Sequence, residues 1–296
     1  MPRSWLCRIQ QALLAGALGL ACTRSPLAAP PSRAAATVDI IDVGHGDAIL
    51  ISSAAGKRML IDGGKPEAAP AVLAVLRSRS LCPLDLILLT HRHADHLGGL
   101  RRVIEECGAR LFMDSGFRHD SELYERLLAT LEKHGVALRQ AEAGRQIDLG
   151  SGAVLTLLGP PQPPLTAPDA ANANSVVARL TVGKSSVLLV GDADFAEEHW
   201  LLGRGVDLRS TVLKLGHHGS RTSSSESLLR AVAPRLAVVS NKPDDASHPH
   251  PETDARLHDS GARILETAKE GTIRLELDPE AVTFQTAKHP QETRLP

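Results

Sequence analysis

The chain has 296 residues, a length that suits a single large α/β domain. Hydrophobic residues make up 43% of the chain and aromatic residues only 2%, so the core must consist of aliphatic side chains. The net charge of −1 and the even mixing of charges exclude an extended polybasic face, and few rings are available to stack single-stranded bases. A neutral chain can still act on phosphates where bound metal ions supply positive charge.

The N-terminal segment has the pattern of an export signal. Two arginines flank the start of an apolar run at 12–21, which is shorter than the roughly 20 apolar residues that span a bilayer. Cleavage after the small residues at 34–36 would leave residues 1–36 outside the folded domain. We therefore expect a secreted or periplasmic protein. Lipid attachment at Cys22 ranks second, and an uncleaved surface helix is a further alternative.

The first half of the chain predicts a meander followed by alternating helices and strands. Apolar alternation between glycine-containing turns predicts strands at 38–43, 47–52 and 58–62. The elements that follow are a helix at 67–79, a strand at 84–89, helices at 97–106 and 120–134, and strands at 110–114, 136–141 and 153–158.

Two cysteines flank the buried strand at 84–89 and the helix that follows it. Cys82 precedes the strand and Cys107 ends the helix. A helix that returns antiparallel to its strand brings these two positions together, and in an oxidising compartment they could form a disulfide. Two reduced, half-buried thiols are an equal alternative, because the Cα separation decides between them.

The segment THRHADH at 90–96 joins that strand to that helix and carries an unusual set of side chains. His91, His93 and His96 stand beside Asp95 in a strand-to-helix loop, where a rigid scaffold can hold them at fixed positions. Imidazole and carboxylate groups together suit zinc and similar divalent ions. The segment therefore predicts a metal site, against the alternative of a polar loop that is His-rich by chance.

The second half predicts a similar series after a long loop. Residues 159–173 contain too many prolines for a helix or strand, and the length of the loop predicts a lid or rim. Strands are predicted at 175–182, 185–190, 211–215, 235–240, 263–267, 271–277 and 281–285, with helices after Asp194 and at 224–231 and 252–260. Residues 287–296 are expected to form a frayed tail. Two packed sheets with helices outside are the expected arrangement.

Several motifs, taken together, resemble the metallo-β-lactamase superfamily. They are DVGHGDA at 42–48, LIDGG at 60–64, HxHxDH at 91–96 followed by LGGL, NANS at 172–175, GDA at 191–193, LGHHGS at 215–220 and HPHP at 248–251. The series is similar to the subgroup that contains the soluble domain of the competence protein ComEC, and it covers residues 37–285. The resemblance implies an α/β fold, an αββα four-layer sandwich, with one hydrolase domain at 37–286 and metal bound at one edge.

The resemblance also implies a dinuclear centre with two divalent ions, zinc or alternatively manganese. His91 and His93 would hold one ion, and Asp95 and His96 would hold the other. Asp192 would bridge the two ions, keeping them close enough to share a hydroxide that acts as nucleophile. A helix N-cap is the alternative role for Asp192.

This chain departs from the pattern of many superfamily members, which place a further ligand histidine between the first cluster and the bridging aspartate. Only His119 and His134 lie in that interval, in or beside a helix that looks exposed. We therefore expect His217 or His218, together with His248, to complete the two coordination spheres, since all three stand at strand ends. One of the adjacent histidines would coordinate while the other donates a proton.

Other polar residues near the motifs are candidates for support and for substrate contact. Asp47 and Asp62 would accept the free N–H of a ligating imidazole, or would simply fix a turn. Asn174, Ser175 and Ser220 would contact the substrate.

The sequence thus predicts an exported, metal-dependent hydrolase with Asp95 and His218 as catalytic residues. The motifs favour a phosphodiester substrate, either a small molecule or a nucleic acid. One alternative is a β-lactam or lactone hydrolase, and another is a non-catalytic accessory module for DNA uptake. The oligomeric state is left open.

Overall fold

The computed structural model describes residues 34–118, 121–245 and 247–295. The predicted export signal, Cys22 and His119 lie outside the described residues. Within the described ranges, no helix combines the length and the apolar composition needed to cross a membrane.

The described residues form strands and helices in an order close to the predicted one. The strands are β1 (Ala36–Ile40), β2 (Ile49–Ser53), β3 (Arg58–Ile61), β4 (Leu84–Leu89), β5 (Ala109–Asp114), β6 (Ala137–Gln140), β7 (Gln146–Gly150), β8 (Ala153–Leu157), β9 (Ala178–Val182), β10 (Ser185–Leu189), β11 (Val212–Lys214), β12 (Leu236–Val239), β13 (Arg263–Glu266), β14 (Ile273–Leu277), β15 (Val282–Thr286) and β16 (Thr293–Arg294). The α-helices are α1 (Ala69–Ser78), α2 (Ala94–Leu97), α3 (Leu100–Cys107), α4 (Glu122–Lys133), α5 (Phe195–Gly203), α6 (Glu226–Val232), α7 (Pro251–Asp259) and α8 (Thr267–Glu270). Short 3₁₀ helices lie at Pro66–Ala68, Asn172–Asn174 and Gly216–Gly219.

The strands form two mixed sheets built on the same plan. The first sheet has the order β16-β15-β14-β1-β2-β3-β4-β5-β6, and the second has the order β13-β12-β11-β10-β9-β8-β7. In each sheet an antiparallel meander leads into four parallel strands, β3 to β6 and β10 to β13. Parallel strands end at the same edge of a sheet, so the loops that follow them meet there.

The alternation of side chains along the central strands defines the layers. In β4, Leu86 and Leu88 pack into the core between the two sheets, whereas Ile87 and Leu89 pack beneath α1, α3 and α4. In β10, Leu188 packs beneath the helices on the outer face of the second sheet. Parallel strands that are buried on both faces read as continuous apolar runs, as these do. The resulting αββα four-layer sandwich confirms the predicted fold class.

Both ends of the folded region extend beyond the predicted bounds. Ala35 is buried and its N–H donates to the carbonyl of Leu277 over 2.8 Å, while β1 begins at Ala36. Cleavage after Ala36 would therefore remove backbone that pairs in the sheet. At the other end, where a frayed tail was expected at 287–296, β16 pairs with β15 and Leu295 is buried.

The helix predicted at 97–106 is divided into α2 and α3 at the glycine pair of the LGGL motif. A Cβ on Gly99 would stand 2.2 Å from the carbonyl oxygen of Gly63, which follows β3. Glycine at this position therefore lets the metal-binding segment pack directly against the loop after β3. The prediction also missed β7, because four of its five residues are at least partly exposed and give a weak apolar alternation.

Cys82 and Cys107 form a disulfide whose Cα atoms are 5.0 Å apart, within the usual range. It links the approach to β4 to the end of α3. α3 runs back along β4 as expected. Of the two alternatives that the sequence left open, a disulfide and two reduced thiols, the structure has the disulfide.

Candidate metal centre

The loops after β4, β10 and β11 converge at one edge of the sandwich. The loop after β4 and the short helix α2 come from the first sheet, and the other two loops come from the second. Together they bring in all but one of the predicted metal ligands: His91, His93, Asp95, His96, Asp192, His217 and His218.

Asp192 stands at the middle of this arrangement, with its two carboxylate oxygens turned toward different histidines. Its Oδ2 lies 3.7 Å from Nε2 of His91 and 3.9 Å from Nε2 of His217. Its Oδ1 lies 3.3 Å from Nε2 of His96 and 3.6 Å from Nε2 of His218. A carboxylate placed in this way can bridge two cations.

The donor atoms can be assigned to two groups that share Asp192. One buried trio, His91, His96 and Asp192, has its ligand atoms within 4.8 Å of one another and spans both groups. In the first, Nε2 of His91 lies 3.1 Å from Nδ1 of His93. In the second, Nε2 of His218 lies 3.6 Å from Oδ2 of Asp95. Ligands of a tetrahedral zinc ion are about 3.4 Å apart when the metal–ligand bonds are about 2.1 Å, so both spacings suit such an ion. The first donor group is His91, His93, His217 and Asp192 Oδ2; the second donor group is Asp95, His96, His218 and Asp192 Oδ1.

Buried polar atoms without partners show that these residues fit a cation. Nε2 of His96, Nε2 of His218 and Oδ1 of Asp192 are buried, and none forms a hydrogen bond with another described residue. Leaving such atoms unsatisfied costs about 1–3 kcal/mol each, and a bound cation would remove that cost. All three belong to the second donor group.

Hydrogen bonds on the far side of the rings orient His91 and His96. Asp62 Oδ2 accepts from His96 Nδ1 over 2.8 Å and from the Thr90 hydroxyl over 2.7 Å. With its proton directed at Asp62, the Thr90 oxygen is free to accept from Nδ1 of His91, 3.1 Å away. Both imidazoles then direct Nε2 at Asp192, where a bound cation would take the place of a proton. The predicted contact between Asp62 and an imidazole of the metal cluster is therefore present.

His218 is oriented by the backbone, and Asp47 serves a different partner from the one predicted. Nδ1 of His218 lies 3.1 Å from the carbonyl oxygen of Ser240, to which it can donate. Asp47 instead forms a buried ion pair with Lys214, whose Nζ is 2.9 Å from Oδ1. Burial alone would raise the pKa of Asp47, but the Lys214 ammonium and the nearby His218 ring lower it overall.

The buried charged groups of the centre strongly shift one another's pKa values. Burial alone would lower the pKa of His96, but the carboxylates of Asp192 and Asp62 raise it well above its ordinary value. Burial alone would raise the pKa of Asp192, but His96 and His218 hold it well below its usual range. The buried carboxylates therefore favour positive charge beside Asp192. A bound cation would supply that charge.

The adjacent histidines reach the centre through an unusual backbone. His217 and His218 have φ values of 45° and 53°, in the left-handed region that non-glycine residues rarely adopt. Each such residue costs of the order of 1–3 kcal/mol unless its surroundings hold it there, as they often do at functional sites. The amide nitrogen of Asn172 lies 3.3 Å from Nδ1 of His217 and helps to fix that ring. As a result, both rings face Asp192, one toward each oxygen.

His248 is the predicted ligand that lies outside both donor groups. Its ring centroid is 5.0 Å from that of His45, and the ring of His45 is 4.5 Å from that of His218. His45 therefore occupies the space between His248 and His218, and His248 instead lies beside Asp245. Sequence reasoning gave His45 no role, although its position inside the DVGHGDA motif was a usable signal.

The three residues predicted to contact the substrate differ in their exposure to solvent. The side-chain amide of Asn174 is buried and bonds to backbone groups at 165–170, so it closes the long loop. Ser175 is fully buried, and its N–H donates to Glu197. Neither side chain is open to a substrate, which corrects the prediction. Ser220 is partly exposed, and its backbone N–H donates to the carbonyl of His217 over 2.8 Å.

Residues 41–241 match the metallo-beta-lactamase superfamily. The chain belongs to that superfamily and has its metal-dependent hydrolase fold.

The most informative relatives are proteins with much longer chains. Competence protein ComA of Neisseria gonorrhoeae is 32% identical over 263 residues, covering 88% of this chain and 35% of the relative. ComE operon protein 3 of Bacillus subtilis is 27% identical over 266 residues, covering 83% of this chain and 34% of the relative. The chain therefore spans about a third of the length of these curated relatives.

Solved structures share the fold at low sequence identity. The metallo-beta-lactamase fold protein YhfI of Bacillus subtilis gives a TM-score of 0.53 at 12% identity, covering 78% of this chain and 96% of YhfI. Zinc-bound PqqB of Methylobacterium extorquens gives 0.51 at 12% identity, covering 82% of this chain and all of PqqB.

Proposed function

We propose that this protein is a hydrolase of phosphodiesters, nuclease-like in its chemistry, with a dinuclear metal centre. The observation that carries the proposal is the placement of Asp192, whose two oxygens face separate donor groups. A pair of divalent ions, zinc or manganese, supplies Lewis acidity and an activated water when bound, and suits in-line displacement at phosphorus.

Residues of the chain would hold the two metal ions and orient the ligand side chains. Asp192 fixes the separation between the two donor groups, and Asp62 fixes the ring of His96. His218 is fully buried and has its Nε2 directed at Asp95 and Asp192, so its role is to bind a metal ion and not to donate a proton to a leaving group. Asp95 completes the same donor group and lies nearer the solvent, with 19% of its side chain exposed.

The substrate class is supported by the relatives. Competence protein ComA carries a name that refers to competence, and a third relative, Recombination protein 2 of Haemophilus influenzae, is 30% identical over 257 residues. Competence and recombination both concern DNA, which is a phosphodiester polymer. Zinc in the structure of PqqB supports zinc as the first metal to test.

Hydrolysis of two chromogenic substrates tests the proposal. Bis-p-nitrophenyl phosphate and nitrocefin would be supplied to the protein loaded with zinc or with manganese. We expect metal-dependent cleavage of the phosphodiester, and a loss of more than about 100-fold in Asp192→Asn, because the bridge between the donor groups is lost. Asp207→Asn is the matched control, since Asp207 is 69% exposed and precedes β11 at the opposite edge.

The other outcomes would each overturn the proposal in a different way. Turnover of nitrocefin alone would assign the protein to the lactam hydrolases. Absence of turnover with both metals bound would favour a non-catalytic module.

We also propose that the protein is exported. The disulfide between Cys82 and Cys107 supports export, because disulfides form and persist mainly in oxidising compartments. The N-terminal mass of protein recovered from the periplasm or medium tests this, and distinguishes cleavage from lipid attachment at Cys22.

A further inference from the structure

A third group of side chains that could hold a metal ion lies beside the centre, and one of its members, His45, also lies within ligand distance of Asp95 and His218 in the second donor group. The group consists of His45, Asp245 and His248, hereafter the third donor group. Nδ1 of His45 lies 3.6 Å from Oδ2 of Asp245, and Nδ1 of His248 lies 3.5 Å from the same oxygen. These three residues come from two separate loops, one after β1 and one after β12.

Asp245 is held so that one oxygen is free to face the two rings. Its Oδ1 accepts from the backbone N–H of Ser247 over 3.0 Å and from the Ser247 hydroxyl. The oxygen of the same hydroxyl lies 2.9 Å from Nδ1 of His248 and can accept from it, so Ser247 fixes the carboxylate and the ring relative to each other. A cation bound at Nδ1 would displace that proton. Oδ2 is left to face both imidazoles, at distances too long for good hydrogen bonds.

The far side of His45 is turned toward the second donor group. Its Nε2 lies 3.4 Å from Oδ2 of Asp95. When Nε2 donates its proton to that carboxylate, Nδ1 is available to bind a cation beside Asp245. The loop that carries His45 is held against the ligand loop, because a Cβ on Gly46 would stand 2.3 Å from the carbonyl oxygen of Asp95.

These contacts place two imidazole nitrogens and one carboxylate oxygen around a common point. The spacings of 3.5 and 3.6 Å are close to the roughly 3.4 Å expected between ligands of a tetrahedral zinc ion. We infer that the third donor group is a third divalent-cation site, with zinc as its preferred ion. Two histidines and one carboxylate leave at least one coordination position open, as in zinc sites that bind a substrate.

The open position has access to solvent. Asp245 and His248 line a surface groove of about 770 Å³, whose other charged residues are Lys242, Lys269, Asp244, Asp254 and Glu266. An ion at this point would offset part of the negative charge of the groove and bind an anionic oxygen of the substrate. This last role depends on the proposed function, whereas binding of the ion does not.

Metal content tests the inference without relying on activity. The full-length protein would be loaded with excess zinc and passed through a desalting column, and the zinc per chain measured by mass spectrometry. We expect His248→Ala and Asp245→Asn to bind one zinc ion fewer per chain than the wild type, with unchanged circular dichroism. His258→Ala is the matched control, because His258 is 70% exposed on α7 and lies outside the third donor group.

Equal zinc content in the wild type and both variants would overturn the inference, even if phosphodiesterase activity were present. Loss of every bound ion in Asp245→Asn, with its fold retained, would also overturn it, because the third donor group would then be part of the main centre. An enzyme that lacks activity but loses one ion in His248→Ala would refute the proposed function and leave the third site standing.

Discussion

At the scale of single residues, the centre depends on carboxylates that do not face a metal. Asp62 is fully buried and accepts hydrogen bonds from His96 and from both the hydroxyl and the backbone N–H of Thr90. These bonds determine which nitrogen of His96 carries the proton. The orientation of His96 thus depends on Asp62, which follows β3 and lies 34 positions earlier in the chain.

Replacing this carboxylate by an amide should weaken metal binding. In Asp62→Asn, one carboxylate oxygen becomes an NH₂ group that cannot accept, so the hydrogen bonds from His96 and from the hydroxyl and N–H of Thr90 cannot all be kept, and the ring loses its fixed orientation. We expect zinc affinity to fall by about 10- to 100-fold, as measured by competition with a chromogenic chelator. Asp207→Asn should leave the affinity unchanged. Wild-type affinity in Asp62→Asn would show that the buried bond does not orient the ligand.

At the scale of elements, α5 links the long loop to the second half of the centre. Asp194 caps the helix, its Oδ1 accepting from the N–H groups of Ala196 and Glu197 over 2.9 and 3.2 Å. Asp192 is therefore not needed as a cap and is free to face the histidines. The same first turn carries Glu197, fully buried, whose Oε2 accepts from the backbone N–H of Ser175.

The buried position of Glu197 predicts a dependence of stability on pH. Burial raises the pKa of Glu197 well above its ordinary value, and the charges of Asp194 and Glu198 act in the same direction. The folded state therefore binds the proton more tightly than the unfolded state. The associated stability is fully present below the ordinary pKa and is lost as the pH rises toward the folded-state pKa.

We therefore expect Glu197→Gln, which is permanently neutral, to gain stability relative to the wild type as the pH rises. Melting temperatures of both proteins between about pH 4 and pH 8 would measure this difference. Glu122→Gln, at a residue whose side chain is 80% exposed, is the control and should show little change. A constant difference between Glu197→Gln and the wild type over this range would contradict the prediction.

At the scale of the whole molecule, the centre exists only where the two sheets meet. The first sheet supplies the HxHxDH loop, and the second supplies Asp192, His217 and His218. Neither half could form both donor groups alone. The packing that joins the halves is aliphatic, as the low aromatic content requires, and it extends along both sheets.

The disulfide should add to the stability of this packing. Cys82 and Cys107 are 25 residues apart, and closing a loop of that length stabilises the folded state by about 3 kcal/mol, chiefly by restricting the unfolded chain. The Cys82→Ser/Cys107→Ser variant should lose this amount in urea denaturation. Reduction should destabilise the wild type to a similar degree and leave the double variant unaffected. Equal stability of the two proteins without reductant would contradict the prediction.

The parts of this protein that follow from local sequence could be predicted. The central strands are apolar runs with clear ends, and His91, His93, Asp95 and His96 are contiguous, so neither the strands nor the cluster required knowledge of distant residues. The order of the motifs along the chain added two further predictions, the four-layer fold and a place for Asp192 in the metal centre.

Only the tertiary structure decided which distant residues meet. Sequence could not show that His45 lies between His248 and His218, or that Asn174 turns inward to close a loop. It also left the state of Cys82 and Cys107 open, and it missed the pairing of β16. Each of these outcomes depends on contacts between segments far apart in the chain, where the packing of whole sheets sets the distances and local periodicity carries no information.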